Sequence, residues 1–406
     1  MKKICLVFVL CLCFHSLIGQ NGNDISIGKI DSFDSKILNE KRKIWIHVPD
    51  GNYQDLSKTK KYPVLYLLDG NSHFYSVVGM IRQLSSSNRN TVLPKMIVVG
   101  IPNTNRTRDL SPTKGKHYNG DSATTNSGGG DKFMSFIENE LIPYIDSNYP
   151  TESYRTFVGH SLGGLTVMNT LINNPELFKS YVAIDPSMWW NNKNLLKKIK
   201  NTKLDKRYNG RTLFLGIANT AGMDTLSVQR DTTYKTRHLR TILELNSFLK
   251  NKDNLNYLSY EWKYYEEESH ASVPLITTYD ALRYIFNFYQ LDIDEQDLID
   301  PEKDILNKIK NHYQRISKEY GREIIPEHYF IENLAHQLVD KKQLEKAERF
   351  FIYNTTNYPK NPYLYNRLGD FYINVGNIKK AVENYKKSFS LDENSYSRDK
   401  IKVLQK

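Results

Sequence analysis

The sequence predicts an α/β protein with a mostly parallel central sheet, followed by a small all-α region of helical repeats. Three observations predict it: apolar runs alternate with helical patterns through most of 60–290, one run ends in a Gly-x-Ser-x-Gly turn, and a 34-residue self-similarity follows. Runs that are apolar throughout suit strands buried on both faces, as in a parallel sheet covered by helices. At 406 residues the chain has room for one large domain and an appendage.

The chain opens Met1-Lys2-Lys3, continues through an apolar run over 4–14 and then turns small and polar over 16–20. That order of charge, apolar run and small residues predicts a secretory signal peptide over 1–20, hence an exported protein, periplasmic or extracellular. The run is shorter than the roughly 20 residues a spanning helix needs. All three cysteines, Cys5, Cys11 and Cys13, lie inside it, so its removal excludes disulfides, thiol nucleophiles and thiolate metal sites. A lipidated cysteine would follow a small residue, whereas Leu10 and Leu12 precede Cys11 and Cys13. The formal charge of +11 falls to +9 with loss of Lys2 and Lys3. The excess is spread over helical stretches, with no basic stripe interleaved with aromatics, which argues against a nucleic-acid partner.

Two strand-like stretches, 26–30 and 42–48, read as an antiparallel pair at a sheet edge. Apolar runs follow at 62–68, 96–101, 154–158, 181–184 and 213–217, with a further strand-like run at 258–265. Helical patterns at 132–145, 162–173, 234–249 and 272–289 fall between them. The segment 109–130, rich in Ser, Thr, Asn and Gly, reads as a surface loop, either a substrate lid or an inert insertion. The resulting division is a leader over 1–20, a main domain over 21–291, a linker and helix over 292–325, and repeats over 326–406. In the repeats Leu334 aligns with Leu368, Ala335 with Gly369, Leu338 with Tyr372, Ala347 with Ala381 and Phe351 with Tyr385. This pattern resembles two tetratricopeptide repeats, in which small residues let paired helices approach and large ones fill the seam. Two repeats alone are marginal, so they are expected to dock on the main domain or on helices from 302–325, as a structural element or as a groove for a protein partner.

The chemistry centres on Gly159-His160-Ser161-Leu162-Gly163-Gly164, placed between the run ending Phe157-Val158 and the helical pattern from 162. A strand, tight turn and helix in that order hold a serine in a strained conformation above the sheet edge, with Gly159 and Gly163 relieving the crowding. A serine hydroxyl needs a base near neutrality, which means histidine. His270 fits: it follows the strand-like run 258–265 and precedes a helix, late in the domain. His160 is expected to pack or to face the pocket, His238 sits in a helical pattern, and His73 and His117 sit in loops. The orienting acid is expected after the run ending near Ile217, where Asp224 is the first choice, with Asp231 and Asp185 as alternatives. Oxyanion donors are expected from the amide of Leu162 and from Gly70 or Asn71 after the run 62–68. Trp189 and Trp190 read as aromatic walls of a substrate pocket, or as core. No metal and no organic cofactor is required.

Together, 62–70, Ile101-Pro102-Asn103 with Arg106 and Arg108, 159–164, Pro186-Ser187-Met188-Trp189-Trp190 and Ser269-His270 resemble the putative esterase (esterase D-like) family of α/β-hydrolases. The resemblance covers roughly 25–290 and implies the α/β-hydrolase fold and serine-dependent ester chemistry. The family includes siderophore, carbohydrate and feruloyl esterases, thioester hydrolases and acyl transferases, so membership leaves the substrate open. It implies that Arg106 and Arg108 hold an anionic substrate or form structural ion pairs. Where the chain reads Ala183-Ile184-Asp185-Pro186, relatives often carry serine in place of Asp185. The expectation is an exported carboxylic-ester hydrolase acting through an acyl-enzyme on a siderophore or another aromatic ester. The alternatives are a feruloyl or acetyl carbohydrate esterase, and a non-catalytic interaction protein that uses its repeats.

Overall fold

The computed structural model describes residues 25–49, 60–86, 92–115, 126–251, 256–300, 302–393 and 395–405. The predicted leader with its three cysteines, and His117, lie outside the described residues.

Eight strands form one sheet in the order β1-β2-β4-β3-β5-β6-β7-β8. They are β1 (Lys29–Ser35), β2 (Glu40–His47), β3 (Tyr62–Leu68), β4 (Ile97–Ile101), β5 (Thr151–His160), β6 (Ser180–Ile184), β7 (Arg211–Ala218) and β8 (Leu258–Tyr265). The first two form the expected antiparallel edge, and β2 also runs antiparallel to β4; every later pairing is parallel. The first strand lies later than the predicted 26–30, because Lys29 to Ser35 pair residue for residue with Ile46 back to Glu40. All residues of β3, β4 and β6 are buried, as their unbroken apolar sequences require.

The helices of the main domain are α1 (Gly70–Ser85), α2 (Arg106–Leu110), α3 (Gly130–Phe136), α4 (Ile142–Asn148), α5 (Leu162–Asn173), α6 (Trp190–Lys200), α7 (Thr225–Arg230), α8 (Arg237–Leu249) and α9 (Val273–Ile285). One apolar layer joins α3, α4, α5, α6 and α8 to one face of the sheet; the other joins α1 and α9 to the opposite face. The predicted helix over 132–145 is interrupted by a π-helical turn at Ile137–Leu141, whose Glu140 reaches back to accept from the amides of Lys36 and Ile37. The flanks of the predicted 109–130 loop are pinned: Gly129 donates to the Arg108 carbonyl and Gly130 to that of Ser111. Its middle, 116–125, lies outside the described residues, and the lid reading with it.

Beyond the sheet come α10 (Glu295–Ile299), α11 (Ile305–Tyr320), α12 (His328–Asp340), α13 (Leu344–Asn357), α14 (Pro362–Asn374), α15 (Ile378–Leu391) and α16 (Ser395–Leu404). The segment read as a linker thus holds α10, started by a reciprocal Asp294–Asp297 cap. The helices α12 and α14, and α13 and α15, begin at the predicted 34-residue offset. The Tyr385 ring lies against Gly369, where a Cβ would come within 2.7 Å of it, so the small residue is what lets α14 and α15 pair. Leu298, Ile305 and Ile309 extend the core of the repeats, supplying the apolar cover two repeats lack by themselves. Docking on the main domain occurs where β5 starts: Ser153 Oγ donates to the Tyr320 carbonyl (3.0 Å), the Tyr154 and Tyr320 rings meet, and Arg322 pairs with Glu152. Since β5 rises roughly 3.3 Å per residue, these contacts, made by the end of α11 and the residue pair just after it, lie roughly 25 Å from Ser161 at the other end of the strand.

Candidate functional site

Three non-glycine residues with left-handed backbones stand at the C-terminal ends of adjacent parallel strands: Asp69 (φ 53°) after β3, Ser161 (φ 60°) after β5 and Asp185 (φ 41°) after β6. Each such residue costs ~1–3 kcal/mol and persists only where its surroundings enforce it. At Ser161 the enforcement is explicit. Its amide donates to the Ile184 carbonyl, and its own carbonyl accepts from Leu165 and from Ser187. The two flanking glycines differ in importance. A Cβ at Gly159 would lie 2.4 Å from the Gly163 carbonyl oxygen, whereas one at Gly163 would meet nothing nearer than 3.3 Å. Gly159 is therefore the residue the turn requires.

Asp185, the last of the three acids considered, is the one brought to His270. The Nδ1–H of His270 donates to Asp185 Oδ2 at 2.6 Å. The same oxygen lies 2.9 Å from His238 Nε2, and Oδ1 accepts from the Ala218 amide at 3.1 Å. Burial alone would raise this carboxyl, but the two histidines and the amide outweigh it and hold it well below the usual carboxylate range. Asp224, the first choice, is exposed and caps α7 by accepting from the Ser227 amide; Asp231 is bonded to Thr233 at the end of the same helix. The expectation failed because α7 draws both aspartates into its ends, while Asp185 is fixed by its own amide to Gly216 of β7. A signal existed in the Ile184-Asp185-Pro186 step directly after a buried strand. His238 on α8 carried none, since only the fold brings that helix over β6.

Ser161 Oγ lies 3.3 Å from Ser187 Oγ, a neighbour sequence reasoning did not assign. The His270 ring is 4.4 Å from that of His160, the residue just before Ser161. With Nδ1 engaged by Asp185, Nε2 is the His270 nitrogen left for another partner. Two helix N-termini open beside Ser161. Leu162 begins α5 and Gly70 begins α1, from adjacent strands, so the amides of Leu162, Gly70 and Asn71 belong to first turns that leave donors without intrahelical partners. Gly70 also has a packing reason: a Cβ there would lie 2.7 Å from the Ile101 amide nitrogen.

Several predicted substrate contacts are engaged otherwise. Arg106 donates through Nε and Nη2 to the two oxygens of buried Asp69 (2.6 and 2.9 Å), which removes the bidentate edge an anionic substrate would need. Asn103 adds a donor, so although burial would raise the Asp69 carboxyl, Arg106 and Asn103 bring it below its usual range. Arg108 pairs with Glu40 and with Asp109, which also takes the fully buried Arg42. Trp190 is core, its indole donating to the Thr113 carbonyl. Trp189 is half-buried at the site, donates to His238 Nδ1 at 3.0 Å and carries Arg237 over its ring at 4.3 Å.

Asp185, His238 and His270 cluster closely enough to suggest metal ligands. Trp189 decides otherwise. An indole nitrogen only donates, so His238 Nδ1 is an acceptor and the ring proton sits on Nε2, the atom a metal would need bare.

His160 packs between the His73 and His270 rings rather than reaching outward, and its Nε2 has no hydrogen-bond partner among the described residues. Burial pushes it down to about 4 from 6.5, with the His270 charge adding to the effect. As pH falls through that window the unfolded chain takes up a proton that the folded chain refuses, so stability present above 6.5 is lost toward 4. His160→Gln is expected to remove roughly 2 kcal/mol of the stability change between pH 7 and pH 4.5. Urea midpoints at pH 7 and pH 4.5 check it, and an identical acid loss in the variant would refute the assignment.

The Putative esterase family matches residues 35–270, and a tetratricopeptide repeat family matches 362–395. Among curated relatives, the ferri-bacillibactin esterase BesA of Bacillus subtilis is 35% identical over 155 residues, 34% of this chain and 52% of that protein. The siderophore enterobactin esterase of Emericella nidulans is 31% identical over 156 residues, 35% of this chain and 51% of that one. The chain thus spans about half the length of the curated relatives it matches. A solved structure described as an IroE-like serine hydrolase from Shewanella oneidensis superposes with a TM-score of 0.65 at 28% identity, covering 82% of this chain and 99% of that one. With the family match spanning more than half the sequence and holding the strained serine turn, His270 and the strands β2 to β8, the chain belongs to the Putative esterase family.

Proposed function

We propose that the protein is an exported serine esterase that opens siderophore esters through an acyl-enzyme. The observation that carries the reading is the strained Ser161 turn, beside which two helices begin and whose preceding residue, His160, packs against the Asp185-bound ring of His270. Ser161 Oγ attacks the ester carbonyl while His270 Nε2 takes its proton. The oxyanion is held by the amide of Leu162 and one from Gly70 or Asn71, where loss of a donor costs about 3–4 kcal/mol in comparable sites. Collapse returns the proton from His270 to the departing alkoxide, leaving an acyl group on Ser161. Water then attacks that ester, gives its proton to His270, and the carboxylic acid leaves as Ser161 recovers its hydrogen. Asp185 stays ionised throughout, fixing the imidazole tautomer and stabilising its cation.

The siderophore assignment is supported by the bacillibactin and enterobactin esterases among the relatives. The aromatic and cationic surface of Trp189, Arg237 and Tyr234 beside the site suits an anionic catecholate. Chromatography of a tri-catecholate lactone, a feruloylated sugar and an acetylated sugar after incubation with the enzyme is expected to yield ring-opened products from the first alone. Preferential cleavage of either sugar ester moves the protein to the carbohydrate reading.

Export rests on the charge and apolar order of 1–20. Mass analysis of the protein recovered from expressing cells is expected to find the chain beginning near Asn21, and an intact N-terminus on all of it refutes processing.

A further inference from the structure

We infer that His238 is a positioning residue of the esterase site, a neutral second donor that holds Asp185 for His270 and is itself held in one tautomer by the Trp189 indole. The inference rests on the triad reading above and extends it by two residues.

Asp185 Oδ2 receives two imidazoles, His270 Nδ1 at 2.6 Å and His238 Nε2 at 2.9 Å, whose rings stand nearly perpendicular at 4.9 Å between centroids. Only one of them follows the serine's neighbour: His270 contacts the His160 ring, whereas His238 turns its remaining nitrogen to Trp189. An indole N–H has no acceptor capacity, so the contact at His238 Nδ1 leaves the ring a single choice, a proton on Nε2 directed at Asp185. The order is therefore Trp189 N–H to His238, His238 N–H to Asp185, and His270 N–H to the same oxygen. The indole is in turn covered by Arg237, whose guanidinium also lies 4.2 Å from the Tyr234 ring, which fixes the far end of the row.

This arrangement gives Asp185, which itself has no exposed surface, three donors, with the Ala218 amide on Oδ1. A buried carboxylate short of donors is unstable and free to rotate, and either fault misdirects His270. The second donor also divides the carboxylate's hydrogen-bonding strength. With His238 gone, the undivided charge holds the His270 cation more firmly, and the base is charged over a wider pH range. The groups facing His270 are Asp185, His238 and His160, and the two His238 variants leave the other two as they are.

The full chain and three variants are compared by the pH dependence of kcat and kcat/KM on a soluble ester. His238→Phe is expected to lower kcat about 10- to 100-fold, the loss of one hydrogen bond to a charged group. It is expected to leave KM within about twofold and to move the acid limb of kcat/KM upward by about half to one pH unit. His238→Gln keeps an amide N–H for Asp185 and a carbonyl for the Trp189 indole, and is expected to restore both kcat and the limb. A kcat loss in His238→Phe with an unmoved limb, or a Gln variant no better than Phe, overturns the inference, because a packing role alone gives those results. If His238→Phe fails to fold, 15N spectra of the wild-type imidazoles decide: His238 protonated on Nε2 supports the assignment and on Nδ1 refutes it. Asp185→Asn serves as the control for the underlying triad, since full activity in that variant removes the triad itself rather than the second histidine.

Discussion

Ser161→Ala is expected to lower kcat/KM on an activated ester by about a million-fold, the scale of loss when the nucleophile of a serine triad is removed. No neighbour replaces it. Ser187 Oγ lies 3.3 Å away, but its own amide is tied to the Ser161 carbonyl and its backbone is not the strained turn. The folded state should be little affected, because alanine keeps the bonds that the position 161 backbone makes to Ile184, Leu165 and Ser187. Ser161→Gly provides a second reading of the same site. Glycine enters φ 60° freely, relieving ~1–3 kcal/mol of strain against ~0.5–1 kcal/mol of lost chain entropy. The glycine variant should therefore melt above the alanine variant while being equally inactive. Fluorophosphonate labelling followed by mass spectrometry checks the chemistry: label on wild type and none on Ser161→Ala is expected. Retained turnover in Ser161→Ala would remove the serine mechanism altogether.

The second large effect separates two aspartates. Asp185→Asn is expected to lower kcat about 10³- to 10⁴-fold, as when a triad acid becomes an amide in comparable sites. The hydrogen bonds explain why. If the new amide oxygen faces the Ala218 N–H, its NH₂ faces His270 and forces the proton to the wrong imidazole nitrogen. If it is flipped, NH₂ meets the Ala218 N–H instead. Either orientation leaves two donors opposed. Asp224→Asn, by contrast, should keep activity within about twofold and leave the melting temperature unchanged, since asparagine caps a helix as well as aspartate does. The reverse ranking of the two variants would restore Asp224 as the acid and contradict the geometry.

The pH profile adds an independent check on Asp185. Its carboxyl is held well below the usual range by its three donors, so it is expected to stay charged around pH 4. The acid limb of activity therefore belongs to histidine, and no second carboxylate limb is expected near pH 4.

The serine turn and the alternating architecture were legible in the amino-acid sequence because each obeys a short-range rule. Unbroken apolar runs mark strands covered on both faces, as β3, β4 and β6 are. Gly159 must be small because the turn folds its Cα onto Gly163, four residues away. The 34-residue offset fixes α12 to α15 because each pair repeats one local packing pattern. What only the tertiary structure decided is which acid meets His270, what Arg106 does, and that His238 belongs to the site. Asp185 and His270 are 85 residues apart and meet across the ends of β6, β7 and β8. Arg106 reaches Asp69 across 37 residues. Such pairings depend on strand order and on the angle at which each helix leaves the sheet. Periodicity along the chain carries no information about either, so three aspartates equivalent in sequence became the partner of two histidines and two helix-end residues only once the sheet was assembled.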